Sequence, residues 1–541
     1  MMKTKRILFS LAITLICGLL YYYFSLPAIN LQEPAFYGFL FFLVLVYALA
    51  TIFLSGRFRT IPSKPQAFGR LLLSYSLVPL IIGTGLVLVL LVGSIVSAPL
   101  FRASSYAKLL PFDTGDFATE VQEVSFDQIP MLDKESAVRL GDRKLGELSE
   151  MVSQFEVSTD YSQINYLGRP VRVTYLRYGD FIKWFNNRSE GLPAYIIVDM
   201  VTQNAEVVRI SSGIKYSPSE PFFRNMLRHL RLQYPTFMFG APVFEIDEEG
   251  TPYWVCPRID KTIGLFGGTT IDGAVLLNAV SGESQYYASE EVPVWVDRVY
   301  SADLIIQQYN YFGSYQSGFF NSIFGQRNVT ATTEGYNYIA MNDDVYMYTG
   351  ITSVGSDESN IGFLLVNQRT KDATFYTIAG AEEFSAMRSA EGLVQDLRYT
   401  ATFPLLLNIA GQPTYFMAMK DGAGLVKMFS MVNVQYYQNA ATGASLSECE
   451  ERYKALLRQN SLLVIPETQT NIVAGAVVEI RNAVIGGNSY YYLRLAEDTM
   501  YYVVSAADSE VVVILNEGDQ VEIEVVDTEG DIRRAVSVSK Q

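Results

Sequence analysis

One histidine serves the whole chain. His229 lies in LRHLRLQY with Arg228 and Arg231 as near neighbours, and a serine nucleophile using it as base would find those cations opposing its protonation. No Gly-X-Ser-X-Gly elbow is present to carry such a serine. Zinc chemistry lacks its ligand spacings too, because neither His-Glu-X-X-His nor Cys-X-X-Cys occurs. Carboxylates are the remaining candidates. Asp343-Asp344 in AMNDDVYMY, Asp357-Glu358 in GSDESN and Asp247-Glu248-Glu249 in EIDEEG place acids side by side, as acid–base hydrolysis or Ca²⁺ binding would require. None has EF-hand spacing, and acidic turns are the plain expectation on a chain with 56 acidic residues. The glycine-rich GLFGGTT lacks the lysine of a P-loop. No catalytic residue, metal site or cofactor is assigned.

A binding surface is easier to place. Tyr309, Tyr311, Phe312, Tyr315, Phe319 and Phe320 crowd into one short stretch, and exposed aromatics supply contact area at low entropic cost. These six are the candidate partner-binding residues, with packing between neighbouring units as the alternative use of the same rings.

The elements that would hold them begin with an anchor. Three apolar runs, about 7–26, 35–54 and 73–100, have no charge in their interiors, and each is long enough to cross about 30 Å of hydrocarbon as a helix. Lys3, Lys5 and Arg6 precede the first run, and Arg57, Arg59, Lys64 and Arg70 lie between the second and third, whereas the loop 27–34 has only Glu33. The positive-inside rule then puts the N-terminus and second loop in the cytoplasm and everything after about residue 101 outside. Cleavage of the first run as a signal peptide would leave that outcome unchanged. Charge divides the chain at the same place: residues 1–110 hold nine basic residues and one acid, leaving 32 of the 41 basic and 55 of the 56 acidic residues beyond, a net of −23. Such a surface repels nucleic acid. Of the three cysteines only Cys256 and Cys449 lie beyond the apolar runs, so no disulfide framework exists, although one bridge between them stays open.

Beyond a connector at 101–130, the order helix then strands recurs. Asp133 is placed to cap a helix over about Lys134 to Ser149, SEPFFRNMLRHLRLQYP reads as a second helix capped by Ser219, and EEFSAMRSAEGLVQ as a third. Each leads into β-branched and aromatic runs broken by turns. GLPAY at 191, GTPYW at 250 and GQPTY at 411 share one pattern: glycine to leave a tight turn, proline to start a strand, an aromatic to pack on the sheet. VDMVTQNAEVV, LLNAVSGESQYY and MAMKDGAGLVKMF each put a polar turn between apolar strands. The units are 131–215, 216–300 and 381–440, separated by an aromatic and Gly-rich β segment at 301–380.

A helix followed by strands, a turn at DEEGTPYW and a closing NAVSGESQYY with Ser281-Gly282-Glu283 resembles the PepSY domain family. The resemblance is best over Asp247 to Tyr287 and covers about half of the chain. It implies non-enzymatic work: such domains occur in peptidase propeptides and in membrane-anchored exported proteins of bacteria, where regulation of secreted peptidases is the usual proposal. This chain departs from the pattern in having no metallopeptidase domain after the units and in the insertion at Gly264 to Gly273.

The tail is separate. SLSECEERYKALLRQ has a capping box, Ser445 to Glu448, and reads as a linker helix within 441–465. Residues 466–541 read as about five strands with turns at Gly486-Gly487 and Glu517-Gly518-Asp519, which suits a small OB-like barrel. The expected fold is therefore α+β: a three-helix transmembrane anchor, repeated helix-plus-meander units and a terminal barrel. The expected function is a membrane-anchored extracytoplasmic interaction or regulatory protein whose partners are the bilayer and an envelope or secreted protein. The alternative is an exported hydrolase of peptide or glycan working through a carboxylate pair. A reporter active only outside the cytoplasm should give signal when fused after Gln541 and none in the loop 57–64; the reverse pattern would overturn the orientation.

Overall fold

The computed structural model describes residues 2–54, 65–123, 129–341, 343–354, 359–460, 462, 470–485, 488–496, 498–506, 509–526 and 532–540. It is a mixed α+β structure that divides at 446/447 into two parts. Helices α1 (Met2–Ser25), α2 (Pro34–Leu54) and α3 (Pro65–Ser97) contain three stretches long and apolar enough to cross a membrane, Thr4–Ser25, Pro34–Leu54 and Leu77–Ser97. Among the described residues, their exposed large apolar side chains are leucine, isoleucine, valine and phenylalanine. Three such helices near the N-terminus fit a membrane anchor.

Four modules follow with one order of elements. Module one is α4 (Lys134–Gly146), β1 (Phe155–Val157), β2 (Ser162–Tyr166), β3 (Arg169–Tyr178), a short α5 (Phe181–Asn187), β4 (Leu192–Asp199) and β5 (Ala205–Ile214). Module two is α6 (Met226–Gln233), β6 (Met238–Phe239), β7 (Val243–Ile246), β8 (Pro252–Ile263), β9 (Gly267–Asn278) and β10 (Ser284–Ala288). Module three is α7 (Ala302–Tyr315), β11 (Thr330–Thr332), β12 (Asn337–Met341), β13 (Asp344–Ser353), β14 (Ser359–Asn367) and β15 (Ala373–Tyr376). Module four is α8 (Glu383–Leu393), β16 (Thr400–Ala401), β17 (Leu405–Ile409), β18 (Gln412–Lys420), β19 (Val426–Asn433) and β20 (Ala440–Gly443).

In every module the first two strands share one edge of the third, and the last three form an antiparallel meander. The segment 301–380, read from sequence as β, is thus a module with its own helix. Its many aromatics and glycines hide the helical spacing of Ala302, Ile305, Tyr309 and Gly313, all buried on one face.

The modules also share a turn. Asp199, Asn278, Asn367 and Asn433 each end the fourth strand, and each side-chain Oδ1 accepts the backbone N–H groups two and three residues on, at 2.7 to 3.1 Å. This Asx turn leaves the following residue, Met200, Ala279, Gln368 or Val434, fully committed. Its N–H donates to a carbonyl at the start of the third strand, that of Pro170, Pro252, Val345 or Pro413 (2.9 to 3.1 Å). Its carbonyl accepts from the segment entering the module's own helix, at Met131, Lys215 and Tyr216, Val299 and Tyr300, or Ala381 (2.8 to 3.0 Å).

These bonds reassign two of the sequence matches. The counterpart of Pro252 and Pro413 is Pro170 in GRPVRV, whereas GLPAY opens β4 one strand later. Likewise the counterpart of NAVSGES is NVQYYQN at 433–439, and the turn in MAMKDGAGLVKMF joins the third and fourth strands instead. The glycines do behave as expected: Gly191, Gly250 and Gly411 all have φ between 72° and 83°. Tyr195, Trp254 and Tyr415 are buried, each donating its polar hydrogen to a backbone carbonyl at 2.8 to 3.0 Å.

Module one's helix starts as expected, with Asp133 accepting from Ser136 N–H (3.0 Å). In module two the cap is Asn225, not Ser219, because Arg228 reaches back to the carbonyls of Pro221 and Phe222 and holds that stretch as a loop. Modules one and two share a core containing Ile164, Tyr175, Ile196, Phe244 and Trp254, while modules two and three share another containing Val255, Leu276, Ile305, Met347 and Leu364.

Module two also meets the anchor. Arg228 and Arg231 donate to the carbonyls of Tyr23 and Leu26 at the end of α1 (3.1 and 3.0 Å). The tip of the β8–β9 hairpin, the glycine-rich insertion, places the N–H groups of Leu265 and Phe266 on Ser97 Oγ at the end of α3 (2.9 and 3.0 Å). Gly93 admits the Phe266 ring, which would stand 2.6 Å from a β-carbon there.

In the second part, Ser447–Gln541, helix α9 (Leu446–Gln459) precedes β21 (Thr470–Ile485), β22 (Asn488–Leu495), β23 (Tyr501–Ser505), β24 (Gln520–Val526) and β25 (Ile532–Lys540). Pairing runs β21-β22-β23-β25-β24 and returns to β21, with β23 and β25 parallel. Val477, Leu493, Tyr502, Val504 and Ile523 fill the interior. The turn at Gly486-Gly487 lies outside the described residues.

Asn278→Ala removes the acceptor for two backbone N–H groups, at a cost of about 1–3 kcal/mol. Its thermal midpoint should fall, while Asn278→Asp, which installs the acceptor type found at Asp199, should hold it. Equal midpoints for the alanine variant and the parent would refute this role.

Candidate functional site

Module three carries an aromatic concavity beside its helix. Ser301 caps α7 by accepting from Leu304 N–H (3.3 Å), and the helix lies unusually close to strand β11. Closeness requires Gly313, since a β-carbon there would stand 2.1 Å from the Thr330 carbonyl oxygen. Asn310 and Thr332 exchange two hydrogen bonds across the same seam, and Tyr309 Oη lies 3.3 Å from Thr330 Oγ1. Beside that seam opens a groove of about 760 Å³ whose walls include Phe112, Tyr309, Phe312, Ile361 and Phe375. Phe112 holds the rings together, with centroids 4.8 Å from Phe312 and 5.9 Å from Tyr309. Polar groups at the rim are Gln316 and Asn328, joined through the Asn328 carbonyl (2.8 Å).

The six aromatic residues singled out in the sequence divide three ways. Tyr309 is buried in the core shared by modules two and three, which pushes its phenol up to about 12, and Phe312 is half-buried at the groove. Tyr311 and Tyr315 stack on each other at 6.0 Å and edge onto Tyr106 at 4.7 and 6.4 Å. Phe319 stacks on Tyr315, and Phe320 is exposed. Thus only Phe312 and the rim of Tyr309 reach the groove.

The carboxylate pairs are not brought together as an acid–base couple. Asp344 is buried in a two-point ion pair with Arg369 (both contacts 2.7 Å) and accepts from Asn367 (2.8 Å). Asp343 turns the β12–β13 hairpin with φ 66° and accepts from Asn165 Nδ2 (2.9 Å). Asp247 accepts from Thr251 N–H in its turn (2.7 Å), and Asp357-Glu358 lies outside the described residues. His229 faces the Gly282 carbonyl at 2.8 Å and packs on Tyr216 at 4.5 Å. Among the described residues no group of three or more His, Cys, Asp or Glu is placed to hold a metal ion. None of the three cysteines is in a disulfide.

Sequence reading missed a buried acidic junction of modules one, two and three. Glu245 on β7 accepts the N–H groups of Asp297 and Arg298 (2.9 and 3.0 Å), and Asp297 Oδ2 accepts the N–H of Asn165 (2.7 Å). Asp297 Oδ1 has no partner among the described residues. Burial pushes Glu245 up to about 7. Burial, then the charge of Glu245, raises Asp297 well above the usual carboxylate range. A smaller cavity of about 150 Å³ lies where modules one, three and four meet, with the buried Arg172 on its wall. Burial lowers that guanidinium to about 10, and its Nε is without a partner among the described residues. Glu245 stands at the edge of the acidic stretch EIDEEG and Asp297 alone in VWVDR, and no spacing in the sequence relates the two.

No protein-family model matches the chain, and none of the curated proteins compared with it matches.

A carboxyl raised by folding stabilises the fold below its ordinary range, and that contribution is lost as pH rises through the folded value. For Glu245 the window runs from the ordinary glutamate range of about 4.3 up to about 7. The thermal midpoint should therefore fall between pH 5 and pH 8. Asp297→Asn keeps an acceptor for Asn165 and removes one buried charge, so it should flatten that fall and be more stable than the parent at pH 8; superimposable pH profiles would refute it.

Proposed function

We propose that the chain is a membrane-anchored extracytoplasmic interaction module, built from four PepSY-like units and an OB-like barrel, whose groove on module three receives a segment of an envelope or secreted protein. The observation that carries this reading is the groove itself. Its volume of about 760 Å³ and aromatic walls suit a few apolar side chains of an incoming peptide. Its walls are pre-formed: α7 is stitched to β11, and Asp113–Gly115 adds a parallel strand to β15 that brings Phe112 to the site.

Support for the PepSY-like type comes from the shared element order, the Asx turn and its committed neighbour in all four modules. The strand order of the tail, with its one parallel pair, supports the OB-like type. Regulation of a secreted peptidase is the function that the PepSY resemblance suggests, and a peptide-receiving groove is consistent with it. Sidedness rests on the basic residues before α1 and in the loop between α2 and α3.

The test is site-specific photo-crosslinking in cells with a photoreactive residue at Ile361 in the full chain. One discrete adduct, identified as an envelope or secreted protein and lost when Val354→Glu puts a charge into the groove, is the expected result. An adduct pattern unaffected by Val354→Glu, or equal to that from the exposed Leu425 on another hairpin, would overturn it.

A further inference from the structure

Two clusters of exposed apolar side chains adjoin the anchor, and neither belongs to the groove. The first comes from α5 and the loop before α6. Phe181, Ile182 and Phe185 on α5, with Phe222 and Phe223, are all exposed, Ile182 at 71% and Phe223 at 65%. Trp184 welds the two pieces, its ring 5.0 Å from Phe181 and 5.4 Å from Phe222 while its indole N–H donates to Glu220 (2.7 Å). Phe223 in turn edges onto Tyr23 at 5.6 Å, in the last turn of α1.

The second follows α7. Phe320, Ile323 and Phe324 are exposed, Phe324 at 81%, around a short π-helical turn at Asn321–Gly325. A chain of rings leads from them to the anchor: Phe320 on Phe319, Phe319 on Tyr315, Tyr315 on Tyr106. Tyr106 then donates to the Ser97 carbonyl at the end of α3 (2.7 Å).

We infer that both clusters are interfacial membrane contacts, two apolar feet that dip into the headgroup region beside α1 and α3 and fix how modules one to three stand on the bilayer. Exposed patches of this kind are rare on surfaces that face only water. Continuity with the anchor identifies the occupant, because each cluster is joined by ring or hydrogen-bond contact to the end of a helix that itself ends at the interface. Tryptophan and tyrosine, here Trp184, Tyr23 and Tyr106, are enriched at that depth, and apolar faces bearing phenylalanine settle about 5–10 Å into it. Charge near the first foot suits anionic headgroups: Arg188 and Arg224 donate to backbone carbonyls, Arg188 also lies over the Phe185 ring, and neither forms an ion pair among the described residues, whereas Lys183 is paired with Asp180 at 3.5 Å. Phe319 and Phe320, candidates for a protein partner on sequence grounds, thereby serve lipid.

This inference rests on the membrane-anchor reading of α1–α3, and its test separates the two. Full-length protein with Cys17→Ser is reconstituted in vesicles of phosphatidylcholine and phosphatidylglycerol, and an environment-sensitive fluorophore is placed in turn at Ile182→Cys, Phe324→Cys, Leu19→Cys and Leu425→Cys. Acyl-brominated lipid should quench the labels at 182, 324 and 19 and spare the one at 425, with aqueous iodide giving the converse. If 19 is quenched by brominated lipid while 182 and 324 respond only to iodide, the feet do not exist and the anchor stands. If 19 also responds only to iodide, the anchor reading falls and takes this inference with it.

Discussion

A single side-chain oxygen at the end of the fourth strand decides the shape of each module. A strand that must reverse inside a packed protein leaves N–H groups with no ladder partner, and a buried N–H without an acceptor costs on the order of a few kcal/mol. Asp199, Asn278, Asn367 and Asn433 each satisfy two of them. The residue after each then faces inward with both backbone groups free to bond elsewhere, one to the start of the third strand and one to the approach to the helix. Helix, meander and lead-in are thus tied at one point, and neither a hydrophobic side chain nor lysine could replace the acceptor.

Four copies of that tie give four sheets, and their differences assign them separate duties. Module two has the long hairpin, and its tip is spent on Ser97 at the end of α3. Module three has glycine at 313, and the closeness it allows leaves the groove beside α7. Among the described residues, module one alone inserts a helix, α5, between its third and fourth strands, and that helix displays its apolar side chains outward. The same scaffold therefore meets helix ends, a candidate peptide and a candidate lipid surface through the three places where its modules depart from one another.

What could be read in the sequence follows from how local the determining physics is. The anchor was legible because the cost of unpaired charge in hydrocarbon shapes whole runs of residues. Asp133 was legible as a cap because its acceptor role acts over three residues. Registering the modules was harder. GLPAY looked like GTPYW since both leave a positive-φ glycine into a strand, yet only the bond from Met200 to Pro170, thirty residues apart, reveals GRPVRV as the counterpart. Module three escaped because its second turn uses Asp343 where the others have glycine, its third strand opens with Asp344-Val345 instead of proline, and its helix is rich in residues of strand preference. The aromatic residues were correctly noticed as a cluster, but their division among core, anchor and surface depends on Tyr106 and Phe112, more than 190 residues earlier in the chain.

Glu245 and Asp297 show what holds the modules in one arrangement. Apolar cores alone would let neighbouring sheets slide, since burial is nearly indifferent to direction. Glu245 accepts from the N–H groups of residues 297 and 298, and Asp297 from that of Asn165, so module two, the entry to α7 and module one are fixed to the residue. The two acids lose stability by being buried, most of all when ionised. Because α7 carries the groove wall and follows this junction directly, the position of Tyr309 and Phe312 relative to module one is set by those three bonds, and the penalty is the counterpart of placing them there.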